Sequence, residues 1–160
     1  MQSVPISEVP EFEKVSPQGK YHSFSKDLSA ALGRDPASPD PARRHPFDLM
    51  ITRLPAGASR CPFHSHSAQW ELYVIISGSG IVRDETGLHP VKAGDVFIFA
   101  PGEAHQISNN GSEDLVYQVI ADNPTGDSCH YPDSGKWLVN APQGRAVIKG
   151  QEAGYFEGEE

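Results

Sequence analysis

Positive charge is scarce in this chain: 13 Lys plus Arg stand against 21 Asp plus Glu, a formal net charge of −8. Such a balance repels phosphate backbones and anionic headgroups, so neither nucleic acid nor a membrane surface is an expected partner. Long apolar runs are missing as well. No window reaches the roughly 18 apolar residues that a bilayer span requires, and the N-terminal MQSVPISEVPEFEKV has no basic stretch followed by an apolar one. Cysteine is rare: Cys61 and Cys129 form no CxxC and are too few to frame a secreted disulfide scaffold. The expected location is therefore a reducing cytoplasm. Internal repeats and low-complexity tracts are also missing, and 160 residues suit one domain better than two.

Turn-forming residues are abundant, with 15 Gly and 14 Pro. That punctuation suits many short strands and predicts an all-β class. Residues 1–46 are polar and broken by prolines, which predicts an N-terminal arm with little regular ladder. Within it SFSKDLSAALG reads as one short helix, with Ser25 as N-cap and Gly33 as stop, followed by an irregular linker over DPASPDPARRHP. From Phe47 to Ala121 the text changes to short apolar runs, FDLMITRL, QWELYVIIS, GIVRD, DVFIFA, HQIS and DLVYQVIA, which read as the strands of the main domain. LYVII and VFIFA are apolar on both faces, so something must cover the second face: the arm, the tail or a second subunit. A homodimer through these strands is the expected assembly. Residues 122–160 form a C-terminal extension, expected to pack on the barrel or a partner subunit, with RAVI and GYFEG as edge strands.

Chemistry concentrates in two short strings. In FHSHS, His64 and His66 stand at i, i+2, which points both imidazoles to one face of a strand. Glu71 follows at an odd offset, so a turn near Ser67 and Ala68 is needed to bring it back to the pair. His105 comes directly after the turn APGEA, at a strand end able to reach the same cavity. Three imidazoles and one carboxylate suit Mn, Fe, Co, Ni or Zn and leave coordination positions open. An HxH pair alone is common and is often structural. The longer strings are much more specific: Gly57, His64, His66, Glu71 and Gly78 in one, and Gly94, Pro101, Gly102, His105 and Asn109 in the other.

Together these strings resemble the two motifs of the cupin superfamily, G(x)5HxH(x)3-4E(x)6G and G(x)5PxG(x)2H(x)3N. Here the gap after Gly57 and the gap before Pro101 are each one residue longer, and Pro101 and Gly102 are adjacent, but every ligand position is filled. The resemblance implies a cupin-type jelly-roll β-barrel over about 47–121 that holds one divalent metal on His64, His66, Glu71 and His105. A further likeness, in the helix before the barrel, CPFHSH, CHYPDSGK and YFEGE, is to bacterial single-domain cupins described as sugar-phosphate isomerase-like. Cupins host isomerases, dioxygenases, decarboxylases, lyases and non-catalytic binders, so the reaction is left open by the fold.

Gln69 and Tyr73 share a strand face with Glu71 and are expected to line the cavity, where Tyr73 would orient substrate, act as an acid or simply pack. Arg53 and Arg60, just upstream of the histidine pair, are candidates for binding a carboxylate or phosphate. His130 and Tyr131 are expected in a surface loop, His22, His45 and His89 at the surface, Cys61 as a small buried thiol and Asp95 as a turn residue. Three functions fit. In the first, a metal-dependent isomerase-like enzyme holds a small sugar phosphate or hydroxy/keto acid through two oxygens; it needs a general base, for which the candidates are Tyr73, Glu103 and His130. An Fe-dependent dioxygenase needs no base. The third is a non-catalytic module that binds or senses a small ligand. The sequence assigns no catalytic residue, metal identity or substrate.

Overall fold

The computed structural model describes residues 1–35, 38, 40–141, 144–150 and 152–159. Thirteen strands and two one-turn α-helices occur among them. In the arm are β1 (Phe12–Val15), β2 (His22–Asp27), α1 (Leu28–Ala31) and α2 (Pro41–Arg44). The central region carries β3 (Phe47–Leu54), β4 (Ser65–His66), β5 (Glu71–Ser77), β6 (Ser79–Arg83), β7 (Leu88–Lys92), β8 (Val96–Phe99), β9 (Gln106–Ser108) and β10 (Leu115–Asp122). The extension adds β11 (Cys129–Tyr131), β12 (Lys136–Ala141) and β13 (Gly144–Lys149). The chain is all-β, as expected, and no helix among the described residues is long and apolar enough to cross a membrane.

A six-stranded sheet, β1-β2-β3-β10-β5-β8, faces a three-stranded sheet, β7-β6-β9. The core fills the space between them: Leu54, Ile75, Leu115 and Tyr117 from the large sheet meet Val82, Val91 and Ile107 from the small one. Each of the large aliphatic side chains contributes about 1.5–3 kcal/mol by leaving water. Pairing in the large sheet aligns Asp48 with Ala121 and Ala121 with Glu71. Residues directly opposite one another share a face, so Asp48 and Glu71 lie on the same inward-facing rung, two strands and about 10 Å apart along the backbone.

The arm is more regular than its prolines predict. Burial alternates along HSFSKD, and β2 pairs with β3 while β1 pairs with β2. Ser25 is therefore not a helix cap: it lies inside β2, buried, with its hydroxyl 3.0 Å from that of Thr52. Asp27 caps α1 instead, accepting from the Ala30 amide at 2.8 Å, and Gly33 stops the turn at φ +86° as expected. The expected irregular linker contains a helical turn, α2, capped by Asp40; residues 36, 37 and 39 lie outside the described residues. LHPVK, passed over in the sequence, forms β7, where an edge position tolerates the missing amide of Pro90. RAVI falls within β13, whereas GYFEG forms turns rather than a strand.

Among the described residues, neither arm nor extension covers the outer face of β5 and β8. Ile76, Val96 and Ile98 are roughly half exposed or more. The extension instead forms a separate sheet, β13-β12-β11-β4, joined to the histidine pair through β4.

Gly78, at the β5–β6 turn, shows how tightly the barrel closes. Its φ is +77°, and a Cβ there would sit 2.3 Å from the Asp114 carbonyl oxygen. Gly78→Ala is expected to cost about 2 kcal/mol or more, from left-handed strain plus the backbone shift. Chemical denaturation checks this, and an unchanged midpoint would contradict it.

Candidate metal centre

The two histidine-bearing strings meet through the backbone. His64 and His105 exchange amide–carbonyl hydrogen bonds of 3.1 and 2.8 Å, and the Gly102 amide donates to the His66 carbonyl at 2.8 Å. Ser67 to Trp70 make the turn the spacing requires, and Glu71 opens β5 facing the pair. His105 is 2% exposed and stacks on Phe99 with ring centroids 4.0 Å apart.

Each ring is oriented by an acceptor on its Nδ1. His64 Nδ1 lies 3.0 Å from the Pro62 carbonyl, His105 Nδ1 3.1 Å from the Glu103 carbonyl, and His66 Nδ1 2.7 Å from Asp127 Oδ2. Carbonyl and carboxylate oxygens only accept, so each Nδ1 carries the proton and each Nε2 is left as the lone-pair nitrogen. On the Nε2 side stands Glu71: its oxygens lie 2.7 Å from His105 Nε2 and 3.8 Å from His66 Nε2. Burial opposes ionisation of Glu71, but the His105 hydrogen bond and the charges of His66, His105 and His64 outweigh it and pull the carboxyl down to about 2. Without a metal, a proton must sit between His105 Nε2 and Glu71. A divalent cation would take its place, held by His64, His66 and Glu71, whose ligand atoms lie within 4.8 Å of one another, and by His105 beside Glu71. The donor set therefore fits the expected metal, with the second contact of every imidazole already made.

Ligand atoms of His66, Asp127 and Cys129 form a rival cluster, within the same 4.8 Å span as those of His64, His66 and Glu71. Its chemistry is poorer. Asp127 is already engaged, accepting from the amides of Ala68 and Gln69 at 2.9 and 3.2 Å and from His66. Burial, with the Asp127 carboxylate beside it, pushes the Cys129 thiol up to about 12, so it stays protonated and ligates weakly. Asp127 acts on His66, fixing its tautomer. It comes from the β10–β11 loop, 61 residues away in the chain, and sequence spacing gave no sign of it.

A cavity of about 270 Å³ opens beside the four groups. Tyr73 and Gln69 line it, as expected, together with Arg60. The Tyr73 hydroxyl donates to Glu71 at 2.7 Å, and burial and that carboxylate hold its pKa well above the usual phenol value, so it is a donor and no base. Arg60 donates to Thr52 Oγ1 at 3.2 Å and rests on Met50 Sδ, with no carboxylate in ion-pairing distance among the described residues. Burial works against its charge, but Tyr117, Cys61, Tyr73 and Glu71 around it hold its pKa above the ordinary value. Arg53 is not at the cavity. It points from the opposite face of β3, pairs with Glu11 and Asp114 at 3.0 Å each and covers the Phe24 ring. Glu103 accepts from the Ala100 amide in its own turn, and His130 lies in β11, not a loop, stacked on Trp137. Asp95 is a turn residue, accepting from the Lys92 amide.

One cavity residue was missed in the sequence. Asp48 pairs through Oδ2 with Arg34 at 3.2 Å, while its Oδ1 is buried with no hydrogen-bond partner among the described residues. Burial raises its pKa against the pull of Arg34. The signal was available: Asp48, Met50, Thr52 and Leu54 are the inward parity of FDLMITRL, and Arg53 is the outward one.

Residues 50–121 match the family described as Cupin domain. The barrel is a cupin domain. Over 68 residues, 42% of the chain, it is 38% identical to the oxalate-binding protein of Thermotoga maritima, of which 55% is matched. The chain thus spans about half the length of the curated relatives it matches. A crystal structure of a proposed sugar phosphate isomerase from Acidithiobacillus ferrooxidans is similar at TM-score 0.76 and 26% identity, over 90% of this chain and 87% of that one. A cupin-superfamily sugar phosphate isomerase from Silicibacter pomeroyi shares the fold at TM-score 0.76 and 21% identity, over 92% of each chain.

Replacing Asp127 by Asn keeps the size of the side chain but removes the charge that holds the His66 Nδ1 proton. In this cupin the change is expected to weaken binding of Mn, Fe or Zn about 10- to 100-fold, measured by chelator competition, with the melting temperature nearly kept. Wild-type affinity in the variant would rule out the orienting role.

Proposed function

We propose that this cupin is a metal-dependent, isomerase-like enzyme acting on a small sugar phosphate or hydroxy/keto acid, with one divalent transition metal (Mn, Fe, Zn, Ni or Co) on His64, His66, Glu71 and His105. The observation that carries the metal is the grouping of His64, His66 and His105 around the Glu71 carboxylate, each with an acceptor already placed on its Nδ1. Support for a small anionic substrate comes from Arg60, a buried guanidinium with no carboxylate partner among the described residues, lining the same cavity. Bound there, the cation supplies Lewis acidity toward neighbouring substrate oxygens. Arg60 attracts and orients the anion, Tyr73 donates a hydrogen bond, and Gln69, held by the Asp122 carbonyl at 2.6 Å, shapes the wall.

Proton transfer needs an acceptor. Of the sequence candidates, Glu103 and His130 are turned elsewhere and Tyr73 is a donor. Asp48 Oδ1 meets the need: it is buried, unpartnered, at the cavity wall and raised in pKa by burial. The barrel (47–121), with the arm and the extension, is taken to act as one unit. A second copy is the proposed cover for the apolar outer face of β5 and β8, because Ile76, Val96 and Ile98 stay exposed among the described residues.

Three measurements check these readings. About one metal per chain is expected in wild type and almost none in a folded His66→Ala variant. Asp48→Asn is expected to keep its metal but lose about 100-fold or more in interconversion of aldose and ketose phosphates. Full metal content in His66→Ala would overturn the site, and metal binding without turnover of any such substrate would leave a ligand-binding module. Light scattering is expected to give the mass of two chains, falling to one in Val96→Glu; a monomeric wild type would contradict the dimer.

A further inference from the structure

A second cavity, of about 720 Å³, lies between the arm and the extension and shares Asp48, Gln69 and Arg145 with the first. The two cavities thus adjoin, with His64, Glu71 and His105 lining the first. The outer part is lined by guanidinium groups from three separate segments: Arg34 after α1, Arg44 on α2 and Arg145 on β13. In a chain of net charge −8 this is an unusual local concentration. Fold stability does not account for it. Arg34, with a side chain 9% exposed, uses Nη1 for Asp48 and Nη2 for Asn123, while its Nε is buried without a partner among the described residues. Arg44 donates to Thr125 Oγ1 and the Asn123 carbonyl, and its Nε is likewise buried and unpartnered. A buried donor left without an acceptor is destabilising unless something else supplies one. The cavity also holds carboxylates, but both are engaged: Asp48 with Arg34, and Asp127 with His66.

We propose that this outer cavity is a phosphate subsite, in which Arg44, Arg145 and the buried Arg34 bind the phosphate monoester of a substrate whose oxygen-rich end reaches the metal centre. The guanidinium fork matches phosphate oxygens, and Arg34, Arg44 and Arg145 bring three such groups to the wall of one cavity. The inference rests on the proposed metal-dependent reading, and it adds where the substrate's charge is held and why the arm and the extension both flank the barrel.

Inorganic phosphate is the probe, titrated calorimetrically into chelator-treated wild type, Arg44→Gln, Arg145→Gln and Arg43→Gln. Arg43 sits beside Arg44 on α2 but is 62% exposed and pairs outward with Asp35, so it controls for charge alone. Arg145 is exposed, so its replacement keeps the fold if Arg44→Gln does not. Saturable binding is expected in metal-free wild type and Arg43→Gln, with at least tenfold weakening in Arg145→Gln and in folded Arg44→Gln. No saturable binding to metal-free wild type, or equal weakening by Arg43→Gln, would overturn the subsite. These outcomes separate the two claims: phosphate bound at the arginines without isomerisation retires the proposed reaction and keeps the subsite, whereas metal and turnover without phosphate binding at the arginines do the reverse.

Discussion

Four electron-rich groups pointing at one another inside a barrel form the constraint on which the rest of this structure depends. Three imidazoles expose lone-pair nitrogens toward a carboxylate, and each is held there by an acceptor on its other nitrogen. Buried polar atoms arranged in this way repel unless a cation or a proton lies between them. Much of the local backbone serves the arrangement. The paired hydrogen bonds of His64 and His105 fix the distance between the two strings, and Phe99 fixes the plane of His105.

The large sheet turns that arrangement into a site with direction. Cross-strand pairing puts Glu71, Ala121 and Asp48 on one rung. The small side chain of Ala121 between two carboxylates leaves room where a bulky residue would close the cavity. At one end of the rung are the imidazoles, and at the other is the Arg34–Asp48 pair, where the arm packs on the barrel. The extension contributes Asp127 behind His66 and Arg145 at the junction of the two cavities. Arm and extension thus both reach the chemistry, although neither supplies a candidate ligand.

What could be read in the sequence followed what is local. The i, i+2 spacing of His64 and His66, the turn before Glu71 and the second string around His105 are short-range facts, and the family, the barrel and the candidate ligands followed from them. Strand parity was equally local but was not applied to FDLMITRL, where it would have exchanged Arg53 for Asp48. The arm was misread for a different reason. Prolines suggested irregularity, while β2 is held by pairing to β3 and β1 by pairing to β2, an edge invisible until the sheet exists. Asp127 meets His66 across 61 residues and Arg44 meets Thr125 across 81, so no spacing rule could reach them.

Anomalous X-ray diffraction from crystals of the Mn- or Zn-loaded protein tests the central claim most directly, because it locates the ion regardless of activity. One peak is predicted about 2.0–2.3 Å from Nε2 of His64, His66 and His105 and from a Glu71 oxygen. A peak among His66, Asp127 and Cys129, or none between the imidazoles and Glu71 at full loading, would contradict it.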